Sequence, residues 1–171
     1  MRKRRPNRAD LESLMDSLES KDGMIRKTAR EALVASGRRA VSSLDEALRN
    51  SGSKQLRWEA AKALGAIGDA RSITPLVNAL GDRDPDVAWL AAEALAKFGK
   101  RAWPPLMQAL MNNTKDPVRL RQGAHHVLVN QKEEGFDDLL AILTRDLESG
   151  RATESAPIVA YEILKRMKAQ A

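Results

Sequence analysis

Apolar positions recur in a fixed pattern through the middle of this chain. The segments 56–68 (LRWEAAKALGAIG) and 87–99 (VAWLAAEALAKFG) place apolar residues at matching positions, 31 residues apart. At helical spacing these residues share one face. A shorter apolar pattern precedes each segment, at 44–48 and 76–80. Two helices repeated at this period predict an all-α fold, an α-solenoid.

The pattern extends to about five helical hairpins. We predict a basic, disordered tail over residues 1–9, followed by one repeat domain over 10–171. The fifth hairpin has a longer internal spacing, and its second helix is predicted over 156–164. End repeats depart from the consensus because one face meets water, so we expect this hairpin to cap the stack. The predicted repeats are about 10–37, 40–68, 70–99, 102–132 and 135–169.

The repeated segments, together with the connections DARSITPL (69–76) and KRAWPPL (100–106), resemble HEAT-like repeats of the phycobilisome-lyase type. The resemblance covers nearly the whole chain after the tail. It implies a right-handed superhelix whose second helices line the concave side. It also implies a scaffold or adaptor function, and a bilin lyase-like factor is an alternative that follows from the same likeness.

Two tryptophans lie on the second helices, away from the predicted packed face. Trp58 and Trp89 occupy equivalent positions, and we predict a short ladder of indoles on the concave surface. We expect the surface to bind a protein or peptide, because Trp is a frequent anchor at interfaces. Packing of the indoles against their own repeats, and self-association through them, stay open as alternatives. The predicted binding residues are Trp58, Trp89, Lys62, Glu93, His126 and Lys27.

Small residues follow the tryptophans by one turn and predict a shallow groove beside them. They are Ala61, Gly65, Ala92 and Ala96. Tyr161 and Glu162 are predicted to continue its rim. Trp103 aligns instead with apolar positions of the first helices, so we place it in the core.

Arginines recur early in three second helices, each a turn after a predicted N-cap residue. Because the guanidinium group can bind a carboxylate in a neighbouring turn, we predict a structural ladder rather than a ligand site. The members are Arg26, Arg57 and Arg121, after Asp22, Ser53 and Asp116.

The charge distribution adds a weaker hypothesis. The net charge is +6, and the first ten residues contain five cations, Arg2, Lys3, Arg4, Arg5 and Arg8. A basic tail can bind nucleic acid, which we consider less favoured than a protein partner. Trp89 and Glu93 also resemble the Trp and carboxylate pairs of HEAT-like alkylpurine DNA glycosylases, although the body lacks a basic groove.

Other chemistry is not indicated by the sequence. The chain has no cysteine, and His125 and His126 point about 100° apart on a helix, so they cannot grip one metal ion. No phosphate-binding loop, signal peptide or membrane-spanning run is present. We therefore expect a cytoplasmic, non-enzymatic protein without cofactor or metal.

Overall fold

The computed structural model describes residues 8–112, 117–149 and 155–170, and within these ranges the chain is all-α. The helices form five consecutive pairs, which confirms the predicted α-solenoid of about five hairpins. Their bounds are α1 (Arg8–Ser17), α2 (Gly23–Ser36), α3 (Val41–Asn50), α4 (Lys54–Ile67), α5 (Ile73–Ala79), α6 (Pro85–Phe98), α7 (Trp103–Met111), α8 (Pro117–Leu128), α9 (Asp137–Glu148) and α10 (Ser155–Ala169).

Capping residues set the start and end of the repeated helices. The side chain of Asp22 accepts a hydrogen bond from the Met24 amide at the start of α2, and Ser53 accepts one from Leu56 at the start of α4. Such caps satisfy amides that have no partner inside the helix. Gly68 ends α4 with φ of 66°, a left-handed conformation that favours glycine. The third predicted cap, Asp116, lies outside the described residues.

The helices stack in two layers. The first-helix layer contains α3, α5 and α7, and the second-helix layer contains α2, α4, α6 and α8, while α1 packs on α2. Trp103 is 1% exposed at the start of α7 and meets the buried Phe136 ring edge-on, with 5.6 Å between ring centroids. The prediction that Trp103 belongs to the core is confirmed.

The last pair exchanges layers. Helix α9 packs against α8 in the second-helix layer, and α10 packs against α7 and α9, in the first-helix layer. Residues 156–164 form a helix as predicted, within α10, but this helix lies in the first-helix layer. The predicted place of Tyr161 and Glu162 on the rim of the second-helix surface is therefore wrong. Helical periodicity identifies the apolar face of α10 but not the layer that this face contacts.

The small residues of the second helices serve helix packing. Ala61 and Ala92 are buried, and a Cβ atom at Gly65 would lie 2.7 Å from Cβ of Ala94. Gly65 thus permits the close approach of α4 and α6. The predicted shallow groove is therefore wrong beside Trp58, where the neighbouring helix fills the space at Gly65, whereas Ala92 lies at a groove beside Trp89.

The amino-terminal boundary differs slightly from the prediction. Helix α1 begins at Arg8, inside the predicted tail of residues 1–9, and Arg8 forms an ion pair with Glu12. Arg2, Lys3, Arg4 and Arg5 lie outside the described residues. Among the helices that the structure describes, none combines the length and the apolar character needed to cross a membrane.

Asp45 on α3 is a buried carboxyl group with incomplete hydrogen bonding. Within the described residues its Oδ1 atom has no hydrogen-bond partner. Burial raises the pKa of Asp45 from 3.8 to about 6, against the opposing charges of Arg49 and Arg71, while Asp69 reinforces the increase. Burial disfavours the charged form of a carboxyl group, so the folded protein binds this proton more tightly than the unfolded chain does.

The Asp45 carboxyl group makes stability depend on pH. A folded-state pKa above the unfolded value means that its contribution is favourable at low pH and is lost as the pH rises from about 4 to about 7. We expect the Asp45→Asn variant to be more stable than the wild type near neutral pH, by about 1–3 kcal/mol, with the difference vanishing near pH 4. Chemical unfolding of both proteins at a series of pH values measures this difference in stability.

Asp138 provides the control with the opposite sign. Its hydrogen bonds to the Arg166 guanidinium group lower the pKa of the exposed Asp138 carboxyl group. The Asp138→Asn variant should therefore be less stable than the wild type near neutral pH, and the difference should fade as the pH drops below the ordinary carboxyl pKa. If both substitutions changed the free energy of unfolding in the same direction near neutral pH, the burial of Asp45 would be contradicted.

Candidate functional site

The two predicted anchor tryptophans occupy different surroundings. Trp89 on α6 is 56% exposed, whereas Trp58 on α4 is half-buried and packs against the core. The Lys62 ammonium group lies 4.5 Å from the centre of the Trp58 ring. Within the described residues the two indoles make no ring contact with each other, so the predicted indole ladder is not formed.

Trp89 lies in a groove between α6 and α8, which we call the α6–α8 groove. Its volume is about 470 Å³, and most of its lining is apolar. Gly123 allows α8 to approach Leu80 closely at the floor of the groove, because a Cβ atom at position 123 would lie 2.8 Å from Cδ2 of Leu80. The lining residues are Leu80, Pro85, Ala88, Trp89, Ala92, Arg119, Gln122, Gly123 and His126.

A histidine links the Trp89 ring to a carboxylate at one end of this groove. The imidazole of His126 lies against the indole of Trp89, with 4.0 Å between ring centroids and 43° between ring planes. Its Nε2 atom is 2.9 Å from Oε1 of Glu93, which lies one turn after Trp89 on α6. The carboxylate orients the imidazole and leaves Nδ1 as its second polar atom.

Arg119 adds a positive charge to the groove lining. Its Nη1 atom donates a hydrogen bond to the backbone carbonyl of Asp82, in the connection between α5 and α6. This contact holds the guanidinium group at the α6–α8 groove, where Gln122 contributes an amide. The groove lining therefore combines a flat aromatic surface, an imidazole, an amide and a guanidinium group, and the imidazole is bonded to the Glu93 carboxylate.

The other predicted binding residues line a second groove, between α2 and α4, with a volume of about 430 Å³. We call it the α2–α4 groove. Lys27, Lys62 and Trp58 belong to it, so the predicted continuous binding surface is divided in two. The lining residues are Gly23, Arg26, Lys27, Arg30, Lys54, Gln55, Trp58, Glu59, Lys62 and Asp86.

Glu59 is the centre of an ion-pair network at the base of the α2–α4 groove. Its side chain is 3% exposed and lies beside the guanidinium groups of Arg26, at 3.4 Å, and Arg30, which donates a hydrogen bond to it. Gln55 donates a further hydrogen bond of 3.3 Å. Sequence reasoning missed Glu59, although a glutamate inside an otherwise alanine-rich packed face is a recognisable signal.

The arginines of the predicted ladder divide into two groups. Arg26 donates hydrogen bonds to the carbonyls of Ser20 and Lys21, and Arg57 donates equivalent bonds to those of Ser51 and Gly52. In the described part of the chain, Arg121 forms no hydrogen bond or ion pair.

Arg57 has a second role that Arg26 lacks. It binds the Asp82 carboxylate through two nitrogens, at 2.8 and 3.0 Å. Two arginines therefore hold the Asp82 turn. Arg57 binds the Asp82 carboxylate, and Arg119 binds the Asp82 backbone carbonyl. Asp82 was not singled out from the sequence because the repeat pattern does not include the connection between α5 and α6. Arg119 was not singled out because it precedes Leu120, where the repeated segment of α8 begins.

Metal binding has no candidate site in residues 8–112, 117–149 and 155–170, where no group of three or more His, Asp or Glu side chains is arranged to hold an ion. His125 and His126 lie on adjacent positions of α8, and His126 is engaged by Glu93.

Two curated proteins resemble this chain. It is 38% identical over 96 residues to "Phycocyanobilin lyase subunit alpha" of Picosynechococcus sp. (strain ATCC 27264 / PCC 7002 / PR-6), covering 53% of this chain and 36% of that protein. It is 26% identical over 121 residues to "Bilin biosynthesis protein PecE" of Nostoc sp. (strain PCC 7120 / SAG 25.82 / UTEX 2576), covering 71% of this chain and 48% of that protein. The chain thus spans less than half the length of either relative.

The relatives contradict one prediction, that the protein is not an enzyme, and the repeats identify its family. The prediction of a non-enzymatic protein is contradicted, since one relative is named a lyase and the other a bilin biosynthesis protein. The family profile described as HEAT repeats matches residues 41–126 and 73–156, which together cover more than half of the chain. The predicted resemblance is confirmed, and the chain belongs to the HEAT-repeat family.

Proposed function

We propose that this protein takes part in lyase chemistry on a bilin, and that the α6–α8 groove binds the bilin. The observation that carries the proposal is the 38% identity to a phycocyanobilin lyase subunit over 96 residues. The groove supports it, because an exposed indole, an imidazole and a guanidinium group line one apolar recess. A volume of about 470 Å³ lies within the range of about 300–1,000 Å³ of small-molecule sites.

The chemistry of a bilin suits these side chains. A linear tetrapyrrole is a flat conjugated molecule with pyrrole N–H donors and two propionate carboxylates. Trp89 offers a face for stacking, Gln122 offers an amide oxygen that can accept from N–H groups, and Arg119 offers a cation for a propionate. The same groove therefore provides a partner for the ring system and for both kinds of polar group.

His126 is the proposed proton carrier of the site. Addition of a protein nucleophile across a carbon–carbon double bond of the bilin moves one proton from the nucleophile to carbon, and the reverse reaction returns it. A histidine oriented by a carboxylate suits this exchange, and His126 is held by Glu93 at 2.9 Å. The nucleophile belongs to a protein partner, which agrees with the sequence-based expectation of a protein ligand.

Direct binding of phycocyanobilin tests the groove assignment. We expect the purified protein to shift the visible absorbance of phycocyanobilin, and we expect Trp89→Ala to weaken binding about 10- to 30-fold, since loss of an aromatic anchor costs about 2 kcal/mol. His126→Ala should weaken binding by a smaller factor. Binding, rather than turnover, is the property to measure because the chain spans less than half of each relative.

The repeat supplies matched controls for this titration. Trp58→Ala removes the same residue type at the equivalent position of the neighbouring helix, and His125→Ala removes the adjacent histidine of α8. Both should leave phycocyanobilin binding within about twofold of the wild type. The groove assignment is wrong if Trp58→Ala and Trp89→Ala weaken binding equally, or if neither does.

A further inference from the structure

The proposed function leaves the α2–α4 groove unused, and this groove has an excess of positive charge. Its lining contains five cations but only two anions, Glu59 and Asp86. The two anions are already engaged, Glu59 by the guanidinium groups beside it and Asp86 by Lys54 at 2.9 Å. A third anion, Asp84, lies just outside the lining and also binds Lys54, at 2.8 Å.

Two of the lysines remain available for a ligand. Within the described residues Lys62 forms no ion pair, and its ammonium group rests over the ring of Trp58. Lys27 faces Glu31 at 3.9 Å, with both side chains more than half exposed. Exposed pairs at this distance contribute little, so an incoming carboxylate can compete for Lys27.

The half-buried Trp58 gives the groove an apolar contact between these charges. Lys27 and Trp58 occupy equivalent positions on the adjacent helices α2 and α4, and Lys62 lies one turn after Trp58. A ligand that follows the groove therefore meets an ammonium group, an indole and a second ammonium group. The groove is open along the surface rather than enclosed, which suits an extended chain more than a compact molecule.

We propose that the α2–α4 groove binds an acidic segment of a protein partner, with carboxylates at Lys27 and Lys62 and an apolar side chain against Trp58. Charge complementarity carries this assignment, together with the combination of an aromatic contact and separated cations. A nucleic acid fits less well, because Glu31, Asp84 and Asp86 stand around the groove and repel a continuous line of phosphates. The site is separate from the bilin groove and can be tested without a bilin.

A labelled peptide of alternating glutamate and leucine residues tests this site by fluorescence anisotropy. We expect binding that weakens as salt rises, and we expect the Lys27→Glu/Lys62→Glu double variant to weaken it at least about tenfold. The peptide with glutamine in place of glutamate should bind at least about tenfold more weakly to the wild type. Trp58→Phe should retain most of the affinity for the acidic peptide, and Trp58→Ser should lose it.

A control with the same change in net charge separates this site from general attraction to a basic protein. The Lys97→Glu/Lys132→Glu double variant alters two exposed lysines outside the groove and should leave the affinity within about twofold. Equal losses in the two double variants would overturn the proposal. So would the absence of binding to the wild type, or tighter binding of an oligothymidylate that depends on the same two lysines.

Discussion

Replacing Glu59 with alanine is expected to lower the free energy of unfolding by about 3–5 kcal/mol. The Glu59 carboxylate is almost completely buried and lies between the guanidinium groups of Arg26 and Arg30 from the preceding repeat. Its removal leaves two partly buried cations without their shared anion and also opens a cavity between α2 and α4. Denaturant unfolding followed by far-ultraviolet circular dichroism measures the loss.

Glu31 is the matched control for Glu59. It is a glutamate on the adjacent second helix, it also has a cationic neighbour, and its side chain is 65% exposed. Glu31→Ala should change the free energy of unfolding by less than about 1 kcal/mol, because exposed ion pairs are weak. A loss below about 1 kcal/mol for Glu59→Ala as well would show that the two arginines are solvated without Glu59.

Arg57→Ala is expected to destabilise the protein by a similar amount, about 3–5 kcal/mol. The side chain of Arg57 is 4% exposed and that of Asp82 is 9% exposed. Arg57 also donates hydrogen bonds to two carbonyls at the end of the α3–α4 connection. The variant therefore removes the cationic partner of a buried carboxylate, which keeps only the Asp84 amide, and it removes the Arg57 bond to the Ser51 carbonyl. Thermal and denaturant unfolding measure the effect.

The repeat again provides the comparison, since Arg26 occupies the position of Arg57 one unit earlier. It makes equivalent contacts to two carbonyls and lies 3.4 Å from Glu59, which Arg30 still binds when Arg26 is removed. Ser51 stands where the later unit has Asp82, so no carboxylate binds Arg26 through two nitrogens. Arg26→Ala should cost about 1–2 kcal/mol. Arg57→Lys should recover only part of the loss, because an ammonium group cannot form the paired bonds of a guanidinium group. Equal losses at Arg26 and Arg57 would argue against a special role for Asp82.

The repeat pattern predicted the helices well because the apolar face of each helix is determined by the residues of that helix alone. Leu64, Leu95 and Trp103 are buried as the periodicity indicates, and Gly68 ends α4. These features depend on residues within one helix or its connection. The same reasoning therefore gave the fold class and the number of hairpins.

The site could be predicted only in part, because its geometry depends on the residues of neighbouring helices. Trp58 and Trp89 are equivalent in the pattern, yet Trp89 meets the His126 ring, whereas the position corresponding to His126 beside Trp58 is Glu93. A carboxylate does not stack on an indole, and Glu93 binds His126 instead. A helical wheel describes one helix at a time and contains no information about this difference.

The periodicity also could not predict which layer each of the last two helices joins. A helix with an apolar face can pack on either layer, and the choice depends on how the connection runs. Between α8 and α9 the chain carries Gln131, which donates a hydrogen bond to the Ala96 carbonyl, and Phe136, which is fully buried beside Trp103. These contacts fix the start of α9. They are contacts between residues more than thirty positions apart, which the repeat pattern does not encode.

The exchange of layers by α9 and α10 has a consequence for which repeats can replace one another. Repeats that order their two layers in the same way present matching faces to their neighbours, so such units are interchangeable in principle. The α9–α10 pair presents its two helices in the opposite order from α3–α4, α5–α6 and α7–α8. A copy of this pair placed between two of the earlier pairs would therefore set each of its helices against the wrong layer.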